Sequence, residues 1–402
     1  MDHSCYSYVK MDKNSNQPGG IYVHIPYCVR KCPYCDFYSC ADRSSLPVFL
    51  ECLEREMEMV AETYLIFDTL YLGGGTPSII EPTALGRIID AVNRYFNLQA
   101  AAEITLEVNP GTVSREKFAQ YRQAGINRLN IGIQSFNSAN LEFLERIHAV
   151  ADAVSSIEWA RQAGFDNIGI DLIYGLPGQH RQTWLADLDS AHRTQVSHLS
   201  CYILTAETET PLGRDVKAGN IRMPGDDAVR ELFDATIDHL TTHGFEQYEI
   251  SNFAKKTTDG SPPPYSRHNQ KYWSLAPYLG LGPSAHSFMS PQRRWNHRSI
   301  EKYVGRIQAG RLPVAGRERL TREQMIIEAV YLGLRTTRGI ELNRFEKMFD
   351  MNFEKFFDET IAELAKKDFI VLTQTRCALT PRGMAYHDSI AAMLTGQNFP
   401  QV

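Results

Sequence analysis

The stretch Tyr22-Val-His-Ile-Pro-Tyr-Cys-Val-Arg-Lys-Cys-Pro-Tyr-Cys-Asp-Phe-Tyr38 places Cys28, Cys32 and Cys35 within eight residues, at the spacing C-x3-C-x2-C. A four-iron cluster held only by thiolates takes one Cys per iron. Three Cys therefore leave one iron open to another ligand, as an open metal site does. A zinc knot is the plainer reading, but it wants a fourth ligand and usually a second Cys-x-x-Cys arm. Cys40 is near enough to serve, yet no second paired arm follows. Three spare core thiols are plainer still, although Pro33 and its polar neighbours do not read as core.

At 402 residues, with 43% hydrophobic and 22% charged residues, the chain has the make-up of a globular protein of two or three domains. A net charge of -5 argues against nucleic acid or an anionic membrane as the main partner. No apolar run approaches the ~20 residues that span a bilayer. Residues 1–19 are polar and carry Asp2 and Asp12, so they read as a flexible arm rather than a signal or transit peptide. Eight Cys, three of them clustered, suit a reducing compartment better than a disulfide framework, and the expected location is the cytoplasm.

Residues 20–250 read as six strand–helix units, the pattern of a parallel sheet. The expected strands are Ile21 to Ile25, Phe67 to Leu72, Glu103 to Val108, Arg128 to Ile133, Ile168 to Ile173 and His198 to Leu204. Between them run helical-period stripes such as Phe49, Leu53, Met57, Val60 and Tyr64. The expected architecture is a partial (β/α)6 barrel with right-handed crossovers.

Five polar motifs fall at one edge of it. The Cys loop follows strand one, and Gly73-Gly74-Gly75-Thr76-Pro77-Ser78 follows strand two. Glu107-Val108-Asn109-Pro110-Gly111, Gln134-Ser135-Phe136, and Asp171 with Tyr174-Gly-Leu-Pro-Gly178 close strands three to five. Sites in parallel β/α folds form at the carboxyl ends of strands. The triple glycine lets backbone approach a ligand, although alone it reads equally as a tight turn. Glu107 sits on the inward parity, where a carboxylate suits a ligand ammonium or hydroxyl; a structural ion pair is the alternative. Gln134 and Asp171 share the parity of Gly132 and Gly169 and should point at the space above the barrel. Arg146 is expected on a short helix after strand four, either clamping a carboxylate or lying solvated.

C-x3-C-x2-C with Tyr34 before the third Cys resembles the signature of the radical S-adenosylmethionine (SAM) family. That resemblance implies a [4Fe-4S] cluster on Cys28, Cys32 and Cys35, with SAM on the open iron. Taken with Tyr22-Val-His-Ile-Pro, Gly-Gly-Gly-Thr-Pro-Ser, Asn-Pro-Gly, Ile-Gly-Ile-Gln-Ser-Phe and Asp-Leu-Ile-Tyr-Gly-Leu-Pro-Gly-Gln, the chain resembles the group containing oxygen-independent coproporphyrinogen III dehydrogenase. The resemblance implies SAM contacts from Tyr22, Tyr34, Gly74, Gly75, Thr76, Glu107, Gln134, Arg146 and Asp171.

The dehydrogenases carry a further Cys two residues after the third cluster Cys and a longer N-terminal segment. Here that position is Phe37, and nineteen residues precede the first strand. Both departures resemble the haem chaperone (HemW) branch, so the decarboxylation is not carried over. In that branch haem binding is attributed to a motif matched by His268-Asn-Gln-Lys-Tyr-Trp273, which makes His268 the expected haem ligand. Read alone, a His four residues from an aromatic is more readily a hydrogen-bonded core residue, and His24 and His286 are weaker candidates.

Residues 251–318 read as a connecting segment around that motif, with a Pro-rich loop from Lys255 to Ser266. Residues 319–402 resemble a winged-helix-like α+β unit with a hairpin from Ile370 to Leu379. Acidic and basic residues there are balanced, leaving no phosphate footprint, so a lid or docking role is expected. The resemblance implies a haem chaperone with haem-accepting partner proteins, a homodimer and transient membrane contact. An enzyme acting on a porphyrin, either a coproporphyrinogen dehydrogenase or a haem-degrading relative, is the second reading.

Overall fold

The computed structural model describes residues 17–61 and 65–396; Tyr64 and most of the N-terminal arm lie outside them. Six parallel strands follow the expected order: β1 (Gly19–Ile25), β2 (Ile66–Gly74), β3 (Asn97–Val108), β4 (Arg128–Gln134), β5 (Asn167–Tyr174) and β6 (His198–Ile203). The connecting helices are α1 (Leu46–Met59), α2 (Pro82–Tyr95), α3 (Arg115–Gln123), α4 (Ser138–Phe143), α5 (Val150–Gln162) and α6 (Arg181–Arg193). After β6 come α7 (Pro211–Lys217) and α8 (Asp226–Thr242). Alternation along the strands sorts side chains by face. Ile21, Val23 and Ile25, like Leu70 and Leu72, are buried in the apolar core with Phe49, Leu53 and Met57 of α1.

The opposite face is polar. It carries Tyr22, His24, Thr69, Tyr71, Glu103, Glu107, Arg128, Asn130, Asp171 and His198, joined across strands by bonds such as Asn130 Nδ2 to Asp171 Oδ2 at 2.7 Å. The sheet stays open, as a partial barrel should.

Residues 251–318 are more than a tether. They supply β8 (Asn252–Lys255), α9 (Arg267–Trp273), β9 (Tyr278–Leu281), β10 (His286–Met289), β11 (Gln292–Asn296), α10 (Ile300–Gln308) and most of β12 (Val314–Arg319). With β7 (Phe245–Gln247) they extend both edges, giving a twelve-stranded sheet in the order β12-β11-β10-β9-β1-β2-β3-β4-β5-β6-β8-β7. Buried Glu56 of α1 anchors this extension, accepting from Gly282 N at 2.8 Å, Asn296 Nδ2 at 2.7 Å and the Tyr303 hydroxyl at 2.7 Å. Three donors on one buried carboxylate satisfy most of its lone pairs, which is what makes its burial tolerable.

The C-terminal unit holds α11 (Arg322–Arg335), β13 (Ile340–Glu341), α12 (Leu342–Phe349), α13 (Phe353–Phe356), α14 (Asp358–Lys366), β14 (Ile370–Leu372), β15 (Arg376–Leu379), α15 (Pro381–Met384) and α16 (His387–Thr395). Its strands pair as β13-β15-β14, the wing of a winged-helix-like unit. It does not hang free. One continuous apolar core runs from Ile21 to Leu394, and Arg335 Nε pairs with buried Glu249 at 2.7 Å.

Candidate functional site: a thiol loop at the mouth of the parallel strands

The Cys loop leaves the carboxyl end of β1 and is clipped at its base. Cys28 N donates to Cys40 O at 3.0 Å, and Cys40 N to Pro26 O at 2.8 Å. Within it, Cys35 N donates to Cys32 O at 3.1 Å, and Leu212 N of α7 holds Pro33 O at 3.0 Å. Cys40 gives its own thiol hydrogen to Pro26 O at 3.3 Å, so it fastens the loop base. Burial raises the Cys35 thiol, and charge on Cys32 and Cys28 raises it further, as expected of three thiols facing one space.

Two donors reach these sulfurs. The Thr76 hydroxyl points at Cys28 Sγ at 3.3 Å, and Arg146 Nη1 at Cys32 Sγ at 3.5 Å. The triple-glycine turn delivers Thr76. Gly75 N donates to Ile25 O at 2.8 Å and Thr76 N to Tyr27 O at 2.7 Å, so the β1–β2 ladder continues past the strand ends. A Cβ on Gly75 would sit 2.6 Å from Tyr27 O; one on Gly74, whose φ is +109°, would sit 2.6 Å from the His24 ring. Only glycine fits either position.

Contrary to the expected helical position, Arg146 lies outside any helix: α4 ends at Phe143, and Arg146 follows Glu145, which is in the left-handed region at φ 49°. That turn swings the guanidinium into the site, where Nη2 donates to Gly132 O at 2.7 Å and Nη1 also meets the Tyr34 hydroxyl at 3.4 Å. Its Nε is buried with no partner. The solvated alternative therefore fails.

Glu107 and Asp171 approach from β3 and β5. Glu107 accepts from the Tyr71 hydroxyl at 2.8 Å and from Gly74 N at 3.0 Å. Burial, reinforced by the Asp171 charge, pushes its carboxyl up to about 7. Burial likewise pushes Asp171 up to about 6, against Ser200, Asn130 and two arginines that favour its anion, and Oδ1 has no partner. Gln134 reaches the same space by a bulge rather than by plain alternation. Its φ is 72° and the β4–β5 register shifts there, which folds Nε2 back over Gly132. Tyr22 sits one layer deeper. Its hydroxyl meets His24 Nδ1 at 3.0 Å, and His24 Nε2 donates to Tyr38 O at 2.8 Å; burial holds His24 down at about 4 even though that carbonyl favours the cation.

Strand alternation alone could have signalled the buried cation Arg128 and Asn130, both absent from the expected site. Thr105 Oγ1, Arg128 Nε and His198 Nδ1 are buried without partners on this same face. Unpartnered buried polar atoms in such number point to water or a polar ligand in the lumen. The donor set, three thiols with a hydroxyl and a guanidinium trained on two of them, fits an iron–sulfur cluster facing a charged cosubstrate.

His268 lies at the other end. α9 packs under the amino-terminal ends of β1 and β2, where a Cβ on Gly20 would come within 3.0 Å of the His268 ring. The residue is 1% exposed, with Nδ1 on the Thr69 hydroxyl at 2.8 Å and Nε2 on the Tyr272 hydroxyl at 2.9 Å. Burial lowers its pKa to about 3. The short helix turns His268 inward, with both ring nitrogens hydrogen-bonded as in a core residue. The outer side of α9, with Trp273 and Gln270, instead lines a cavity of about 750 Å³ shared with the C-terminal unit, including Arg338, Arg344 and Arg376.

The profile of the Radical SAM superfamily matches residues 22–191, and that of the HemN C-terminal domain matches residues 320–386. Over 381 residues the chain is 32% identical to the heme chaperone HemW of Bacillus subtilis, covering 94% of this chain and 99% of that one. It is 38% identical to the heme chaperone HemW of Escherichia coli over 275 residues, 67% of this chain and 70% of that one. A radical S-adenosyl methionine domain-containing protein of Danio rerio, named as mitochondrial, is 31% identical over 92% of this chain and 85% of its own. Among solved structures, the coproporphyrinogen III oxidase HemN of Escherichia coli superposes with a TM-score of 0.81 over 94% of this chain and 90% of that one, at 23% identity, a likeness of fold. Identity at this level along nearly the whole chain, over a thiol loop of this geometry, makes the protein a member of the heme chaperone HemW family within the radical SAM superfamily.

Proposed function

We propose that this chain is a haem chaperone built on a radical SAM scaffold, binding a [4Fe-4S] cluster, SAM and haem and delivering haem to acceptor proteins. Cys28, Cys32 and Cys35 would hold three irons of the cluster. When bound, the cluster supplies an iron with an open coordination position and an electron for reductive chemistry. Arg146 would offer Nε to the SAM carboxylate, Glu107 would take a cationic or hydroxyl group, and Asp171 and Gln134 would hold the ribose. Gly74, Gly75 and Thr76 present backbone at the same edge, Tyr34 braces Arg146, and Tyr22 acts through His24. One observation carries this: two buried polar atoms, Arg146 Nε and Asp171 Oδ1, lack partners beside a guanidinium already trained on a cluster thiol.

For haem, the cavity outside α9 supports the reading better than His268 Nε2 does. Trp273 offers an aromatic wall, and among the described residues neither Arg338 nor Arg376 is paired with a carboxylate, which suits two propionates. His268 would then position α9. No helix among the described residues is long and apolar enough to cross a membrane, so the proposed membrane contact would be peripheral. A homodimer and a cytoplasmic location complete the proposal.

A haem titration of anaerobic, cluster-loaded protein should saturate near one per chain and weaken at least tenfold in the Arg338→Glu, Arg376→Glu double variant. The same protein, given coproporphyrinogen III, SAM and reductant, should release no protoporphyrinogen IX. Its formation would make the chain a porphyrinogen-oxidising enzyme instead.

A further inference from the structure

On the outer helices, away from the thiol loop, Asp189-x2-His192 ends α6 and His239-x3-His243 ends α8. Spacings of three and four put each pair on one helix face, and the two faces meet. Asp189, His239 and His243 each bring a ligand atom within 4.8 Å of the others. His239 and His243 stack at 4.1 Å between ring centroids, with His192 edge-on to His243 at 4.7 Å. Three imidazoles and a carboxylate seldom converge for packing alone.

The cluster lies at the half-exposed seam between the two helices and is incompletely satisfied. His239 Nε2 lies 3.2 Å from Asp189 Oδ1, yet it is buried without a hydrogen-bond partner. His243 Nδ1 donates to His239 O at 2.7 Å, which fixes the tautomer and leaves Nε2 with its lone pair free. A backbone carbonyl on the remote ring nitrogen is the usual outer partner of a metal-binding His. Both helices end here, so their carbonyl ends favour a cation. The scaffold is stiff, since Trp184 Nε1 of α6 donates to Thr236 Oγ1 of α8 at 2.7 Å.

We propose that Asp189, His239 and His243 form a binding site for a borderline divalent cation, Zn2+, bridging α6 and α8. Imidazole and carboxylate ligands suit that ion, and water would complete a tetrahedral set. His192 lines the site, but Lys255 and Arg193 face it and make it the poorest ligand of the four. The ion would bolt together the helices that cover β5 and β6, independently of the cluster, SAM and haem.

The test uses cluster-loaded protein under anaerobic conditions, with zinc and iron counted per chain after equilibration with zinc and desalting. About one zinc per chain should be retained, raising Tm by about 2–4 °C. An Asp189→Asn, His239→Gln, His243→Gln variant should retain none, with iron unchanged. Full zinc retention in that variant, or none in the wild type, overturns the proposal. Co2+ put into wild-type protein gives a second readout if the variant folds poorly. Tetrahedral bands without thiolate charge transfer place the ion on nitrogen and oxygen, whereas a thiolate band places it on cysteine and overturns the site.

Discussion

Arg146 does at the residue scale what its position in the sequence does not announce. It sits in a turn forced open by left-handed Glu145, and its guanidinium ties Gly132, Tyr34 and Cys32 together while one N–H stays unpaired. A charge-assisted bond to a carboxylate contributes about 1.5–3 kcal/mol, so Arg146→Met should weaken SAM binding to cluster-loaded protein by about 10–100-fold with iron content unchanged. Calorimetric titration checks this, and an affinity equal to wild type would remove Arg146 from the SAM site. Glu107 makes a pH prediction. Burial raises its pKa from 4.5 to about 7, so its folding contribution is intact below pH 4.5 and is lost as pH rises through 7. The Glu107→Gln variant should match wild type near pH 4.5 and be more stable by about 3 kcal/mol above pH 7 in cluster-free protein. Urea unfolding at both pH values measures it; a gap constant with pH would mean the carboxyl titrates normally.

The six parallel elements were legible because each strand alternates cleanly, with Leu129, Ile131 and Ile133 against Asn130 and Gly132, and each ends on a polar motif. Other features were not. Strands β8 to β11 are four or five residues long, and β9 finds its partner, β1, some 250 residues away, so local pattern carries little of their pairing. Gln134 needed a bulge that no residue type signals. The face presented by α9 was also hidden, since seven residues with aromatics on several sides do not say which side is in. Its inward His268 sets the prediction at this scale. His268→Ala leaves Thr69 and Tyr272 hydroxyls unpaired, which should cost about 2–4 kcal/mol of stability, while haem affinity stays within about threefold. Thermal unfolding and haem titration check the pair of outcomes. Lost haem binding with Tm unchanged would restore His268 as a ligand.

At the scale of the whole molecule, the two ends of one sheet carry different chemistry. The carboxyl ends of β1 to β5 converge thiols, carboxylates and a guanidinium. The amino ends are floored by α9, beyond which lies a basic cavity closed by the C-terminal unit. A single core joins the two, so the C-terminal unit is in place to couple events at either end. All of this depends on Cys28, Cys32 and Cys35 holding an iron that SAM can reach. The direct measurement is electron paramagnetic resonance of anaerobically purified, dithionite-reduced protein, with iron and sulfide counted on the same sample. The account predicts about four of each per chain and a spectrum that changes shape when SAM is added. Zinc in place of iron, or a cluster spectrum indifferent to SAM, would contradict it.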